Sequence, residues 1–271
     1  MIFSSHFIIS MNEGNMDDLR KLIEIKQYKN GAFNLITDII VQEKSFTIYI
    51  NNERLLALAT LPEKLEELAL GFLYTEGIVH SKEEITSIDY NKMYINFQLN
   101  TSKERIQQFI ENREKTSGCG SSLSSNILEH KKEFSKISIN QKNIVNLMKK
   151  FHQSCSLFRE TGGVHSASLV KDGNIVFFAN DIGRHNAVDK VVGMAILSKI
   201  DLQQCYLFCS GRISSEIVKK TIRIKIPLIV SHSAPTSEAI RLGWEYKVFI
   251  IGFARGERFN IYTGIDQIAD I

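Results

Sequence analysis

NIVFFANDIGRHNAVDKVVGMAILSK (174–199) decides the fold. Its first six residues are mostly branched or aromatic and read as a buried strand. Its second half, from Ala187, repeats apolar residues at helical spacing. Between them sits a polar cluster, Asp181-Ile182-Gly183-Arg184-His185-Asn186, in which Asn186 is placed to cap the helix. The same order recurs twice downstream. CYLFC leads through SGRIS to SEIVKKTIR (205–223), and PLIV leads through SHSAPTS to EAIRLGW (227–244). A last strand, YKVFIIGF (246–253), passes through ARGER into the strand FNIYT (259–263). Upstream, SASLV and NIVFFA flank Lys171-Asp172-Gly173-Asn174, a hairpin with an Asp-Gly turn. Strands alternating with helices predict an α/β sheet with helices on both faces. Ligands of such sheets bind beyond the carboxyl ends of the strands. The clusters at 181–186, 210–214, 231–237 and 253–258 fall there and are expected to line one rim.

Working outward, residues 1–30 read as a polar, irregular segment. ITDIIVQEKSFTIYINNERLLALAT (36–60) reads as strand, turn at Asn51-Asn52, and strand. Pro62 opens a helix that carries acids in its first turn and stops at Gly77. Residues 85–100 form a hairpin-like pair, and 102–115 a helix. TSGCGSSLSSN (116–126) has almost nothing to bury and reads as an exposed loop. A helix over 141–158 buries Ile144, Leu147, Met148, Phe151 and Cys155. The expected organisation is an N-terminal segment (1–30), an α+β part with the Cys119 loop (31–140), and a C-terminal α/β part (141–271).

Apolar residues make up 44% of the 271 and charged residues 23%, which excludes a disordered chain. The net charge of +3 gives no reason to expect a nucleic-acid partner. No apolar run approaches the ~18–20 residues of a membrane span. The N-terminus MIFSSHFIIS lacks a basic segment ahead of its short apolar stretch, and Met11 and Met16 are alternative starts. Four cysteines in a chain this long are not a disulfide framework. The expectation is a soluble, cytoplasmic protein.

Cys119 lies between Gly118 and Gly120 in the polar loop, away from the apolar company that structural cysteines keep. It is the candidate reactive thiol. Cys155, Cys205 and Cys209 sit in apolar patterns and read as core. The strand-end clusters bring Arg184, His185, Arg212, Arg255 and Arg258 to one sheet edge, with Ser231–Ser237 offering hydroxyls. That density of guanidinium suits a large anion, such as a nucleotide with a pyrophosphate. His165, after Gly162-Gly163, reads equally as a ligand contact or a satisfied core histidine. Neither G-x-G-x-x-G nor G-x-x-x-x-G-K-[ST] occurs, and no metal-ligand spacing is present: Ser122 stands where a C-x-x-C would need its second thiol.

TGGVHSA, NDIGRHNAVDKVVG, SGRISSE, SAPTSEAI and GFARGERFNIYT resemble the signature blocks of the formate dehydrogenase accessory sulfurtransferase (FdhD) family. LPEKLEELALGFLYTEGIV (61–79) resembles its helix block, and the likeness spans roughly residues 40–265. The resemblance implies a fold similar to cytidine deaminases, a three-layer α/β/α sandwich without the deaminase zinc ligands. It implies transfer of persulfide sulfur from a cysteine desulfurase to the molybdenum or tungsten bis-guanine-dinucleotide cofactor of formate dehydrogenase, by a homodimer. On this likeness Cys119 carries the sulfur. Phe253, Ala254, Arg255, Gly256, Glu257 and Arg258, with Arg184, His185, Arg212 and His165, contact the cofactor. Ser122 replaces the second cysteine of the family's loop, so a cofactor-binding chaperone that moves no sulfur stands as the alternative.

Overall fold

The computed structural model describes residues 19–101, 106–107 and 139–264. The loop expected over 116–126 and nearly all of the helix expected over 102–115 lie outside the described residues.

β1 (Arg20–Lys29) and β2 (Ala32–Val41) pair antiparallel along their whole length. The expectation of an irregular stretch over 1–30 is therefore corrected for residues 20–29. The missed signal is Asn30-Gly31, whose positive φ values of 53° and 82° make the tight turn that right-twisted hairpins favour. β3 (Lys44–Ile50) and β4 (Glu53–Thr60) form the next hairpin, turned at Asn51 and Asn52 as expected. The 36–60 stretch thus holds three strands, since its first residues complete β2. α1 (Leu65–Thr75) follows with Glu66 and Glu67 in its first turn. β5 (Ile85–Tyr90) and β6 (Tyr94–Leu99) complete a sheet of order β4-β3-β6-β5.

The single helix expected over 141–158 is two. α2 (Gln141–Ser154) ends at Cys155, where φ −79° and ψ 49° leave the helical region, and α3 (Ser156–Thr161) begins anew. Arg159 holds the break by donating to the carbonyls of His152 and Gln153 at 2.6 and 3.0 Å. β7 (His165–Lys171), β8 (Asn174–Asp181), α4 (Arg184–Leu197), β9 (Tyr206–Cys209), α5 (Ser215–Arg223), β10 (Leu228–Ser231), α6 (Ser237–Tyr246), β11 (Phe249–Arg255) and β12 (Arg258–Thr263) follow the predicted rhythm. They build a six-stranded sheet of order β12-β11-β10-β9-β7-β8, in which β9, β10 and β11 are parallel.

Alternation along these strands makes the layers. Leu169, Leu207, Ile229 and Ile250 face the core shared by α4, α5 and α6. Val170, Phe208, Val230 and Ile251 face α2. The result is an α/β/α sandwich, with each fully buried Leu, Ile, Val or Phe contributing about 1.5–3 kcal/mol. The first core also takes in α1 and the inner faces of β3, β4 and β6, so the small sheet and the sandwich share apolar packing.

α1 and α4 meet backbone to backbone. A Cβ added at Gly71 would lie 1.8 Å from the Asp189 carbonyl oxygen, and one at Gly193 would lie 1.9 Å from the Glu67 carbonyl oxygen. Both obstacles are main chain and have no rotamer to yield. Gly193→Ala should therefore force the helices apart and cost at least about 1–3 kcal/mol, as overpacked cores do. A urea midpoint unchanged from wild type would contradict this packing.

Candidate functional site

β8 runs antiparallel to β7, and β7 antiparallel to β9. The carboxyl ends of β8, β9, β10 and β11 therefore share one sheet edge with the first residue of β7 and the tip of the β11–β12 hairpin. Every cluster singled out in the sequence reaches that edge.

Asp181, the last residue of β8, is fully buried and organises the first turn of the rim. One oxygen accepts from the Gly183 amide and the Asn186 side chain, each at 2.9 Å. The other takes the Thr60 hydroxyl, the Leu61 amide at 3.2 Å and the Lys190 ammonium at 2.7 Å. Lys190 also donates to the carbonyls of Leu61 and Asn180. Burial pulls the Lys190 ammonium below its ordinary value, against the attraction of Asp181. Asn186 is not the helix cap: Gly183 occupies that position, and Asn186 sits inside α4 tying it to Ala59 and Asp181.

Around this turn lies a first polar group. Arg184 packs over Gly211, where an added Cβ would meet Arg184 Cβ at 3.0 Å and His165 Nδ1 at 3.5 Å. The Ser210 hydroxyl lies 3.4 Å from His165 Nδ1 and accepts from the Ser166 amide. Arg184 Nε and Ser214 Oγ are buried without a hydrogen-bond partner in the described chain. Leaving such groups unmade is expensive, and Ser168 Oγ in the middle of β7 is in the same state. Burial, then the charges of Arg184 and His185, pushes His165 below its ordinary value. Arg212 is exposed beside this group.

A second group lies at the ends of β10 and β11. His232 Nδ1 and His152 Nε2 are 3.2 Å apart, with ring centroids at 4.8 Å. Arg255 Nε donates to the His232 carbonyl at 3.0 Å, and its guanidinium lies 5.8 Å from the Phe253 ring. Phe253 has a φ of 51°, a backbone conformation that costs a non-glycine residue roughly 1 kcal/mol or more. The β11–β12 register shifts between Gly252 and Arg255, which re-aims this segment out of the ladder.

Not all expected contacts are free to serve. The Ala254 side chain is packed in the α2 core. His185 Nε2 lies 3.0 Å from a Glu216 oxygen on α5, an ion pair only when the ring is protonated. Of the hydroxyls at 231–237, Ser231 is buried and donates to Gly211, and Thr236 caps α6. Gly256, Glu257 and Arg258 are exposed at the hairpin tip. Sequence reasoning missed His152, which α2 carries to the rim beside core residue Phe151; its placement at the helix end is the available signal. Cys119 lies outside the described residues. Cys155, Cys205 and Cys209 are buried, as expected from their apolar patterns. Burial pushes the Cys205 and Cys209 thiols up to about 11 and raises Cys155 as well. Among the described residues no group of three His, Cys, Asp or Glu is placed to hold a metal ion. No described helix is long and apolar enough to cross a membrane.

Fold and site together define an α/β/α protein whose polar chemistry is gathered along one edge of its main sheet. The profile of the FdhD/NarQ family matches residues 41–269. The sulfur carrier protein FdhD of Listeria monocytogenes is 36% identical over 258 residues, covering 90% of this chain and 97% of its own. That of Bacillus subtilis is 32% identical over 260 residues, covering 94% and 99%. The crystal structure of a protein from Desulfotalea psychrophila, assigned as a formate dehydrogenase accessory protein, superposes with a TM-score of 0.76 at 23% identity, covering 93% of this chain and all of its own. The chain belongs to the FdhD/NarQ family.

Asp181→Asn should leave Lys190 buried without its counter-charge and cost about 3–5 kcal/mol. The measurement is urea denaturation. A loss under about 1 kcal/mol, the range of an exposed pair, would show that Asp181 does not organise the rim.

Proposed function

We propose that this chain carries sulfur in formate dehydrogenase maturation, with Cys119 as the carrier and the rim as the seat of the client cofactor. The observation that carries the reading is the state of the other thiols. Three of the four cysteines are buried, and burial raises the pKa of each, so little of the thiolate that sulfur exchange requires forms near neutral pH. The relatives named as sulfur carriers support the same role.

In the transfer, the Cys119 thiolate attacks the outer sulfur of a desulfurase cysteine persulfide. A sulfur–sulfur bond forms at Cys119 as the donor's bond breaks, and the donor leaves as its thiolate. The molybdenum or tungsten bis-guanine-dinucleotide cofactor is the acceptor, a substrate of the transfer rather than a resident group. Its pyrophosphates match the buried Arg184 Nε and Ser214 Oγ and the exposed Arg212, Arg255 and Arg258. The partners are a cysteine desulfurase and the formate dehydrogenase catalytic subunit, and the assembly is a cytoplasmic homodimer. Ser122 favours a second reading, in which the chain holds the cofactor without moving sulfur; one thiol still suffices to carry a persulfide.

Mass spectrometry after incubation with a desulfurase and cysteine should show one added sulfur atom, on Cys119 alone. Cys119→Ala should abolish loading and formate dehydrogenase activation. An unloaded wild type, together with an active Cys119→Ala variant, would leave the chaperone reading in its place. Arg255→Ala should weaken GDP binding roughly tenfold, the value of one charge-assisted phosphate contact. Unchanged affinity by calorimetry would remove Arg255 from the site.

A further inference from the structure

His152 and His232 come from distant parts of the chain, α2 and the turn after β10, and meet at the rim. At 3.2 Å one ring donates and the other accepts, so the neutral pair holds a single hydrogen between its two facing nitrogens. A proton added to either ring makes that bond charge-assisted, and hence stronger.

We propose that His152 and His232 act as one proton-acceptor unit at the β10–β11 end of the rim, taking up a single proton when a phosphate-bearing ligand docks against Arg255. The inference rests on the reading of the rim as a nucleotide-diphosphate site. Arg255 on β11 bonds the His232 backbone directly, so a phosphate on its remaining guanidinium nitrogens sits close to both rings. Among the described residues Arg159 of α3 also stands near the pair, its guanidinium binding the His152 carbonyl. Phe151 adds apolar surface beside His152. Burial, and then Arg255, hold both imidazoles below the ordinary histidine value, so the pair is neutral near pH 7 in the free protein. A bound phosphate offsets the Arg255 charge and adds its own, which reverses the repulsion. Binding and protonation then favour each other, and reciprocity makes the ligand bind more tightly at lower pH.

The sign follows from the direction of the shift. The complex binds more protons than the free protein, so affinity falls as pH rises, by up to about tenfold per unit while the coupling lasts. Calorimetry with GDP in two buffers of different ionisation enthalpy counts the protons. Wild type should take up close to one beyond what GDP itself exchanges. His232→Asn should lose that uptake while still binding GDP. Binding without uptake, or uptake that survives in His232→Asn, overturns the proposal while leaving the rim as the ligand site. Absence of GDP binding in wild type overturns the rim reading and this coupling together. Imidazole NMR of the free protein is the independent arm: the two rings should titrate together, with only one proton gained down to mildly acid pH. Two independent ordinary titrations would refute the unit.

Discussion

The close approach of α1 and α4 governs most of what lies around it. With glycine at both contact points, two helix backbones touch, and no side chain separates them. The charged pair Asp189-Lys190 of α4 is thereby sealed from water on every side. Each member must then find a partner inside. Lys190 reaches Asp181 and the Leu61 carbonyl. Asp189 reaches the Thr75 hydroxyl and Lys220, which also meets Glu76. Burial alone would push the Lys220 ammonium down, but Asp189 and Glu76 outweigh it and hold it above the ordinary lysine value. Such networks add little net stability over apolar packing, but they penalise misplacement heavily. They lock α1, α4, α5 and the end of β8 into one arrangement.

The rim inherits that rigidity. Arg184 begins the helix that Asp181 anchors, so its guanidinium is delivered by a stiff element rather than a wandering loop. The far end of the rim is built differently. Phe253 holds a left-handed backbone, the ladder shifts register, and a pair of imidazoles stands beside an exposed arginine. The two ends thus differ in kind, one a guanidinium on a stiff helix and the other an imidazole pair on a distorted strand end.

Much of the sandwich is legible in the sequence because its strands and helices alternate and each strand ends in polar residues. The 174–199 stretch shows strand, turn and helix, although the helix opens at Arg184, inside the polar cluster, rather than after Asn186. What cannot be read there is pairing across distance. Nothing local distinguishes Asp181, Asp189 and Lys190, which hold the interior together, from Arg184 among them, which packs over Gly211 at the rim. Gly71 and Gly193 look like weak points in their helices until the neighbouring backbone is in place. The helix break at Cys155 depends on Arg159 reaching back to two carbonyls, and periodicity carries straight through it. The first strand is hidden by its polar residues, although its Asn-Gly turn is in view.

The contact between α1 and α4 also sets an order of events during synthesis. Thr75 and Asp189 are 114 residues apart in the chain. At about 5–20 residues per second, a ribosome needs roughly 6–23 s to make that interval. Until then α1 and the small sheet lack the apolar surface of α4 that they share a core with. Closing so long a loop brings no reward before its ends meet, which favours slow folding. The newborn N-terminal half therefore keeps the apolar face of α1 uncovered for that interval.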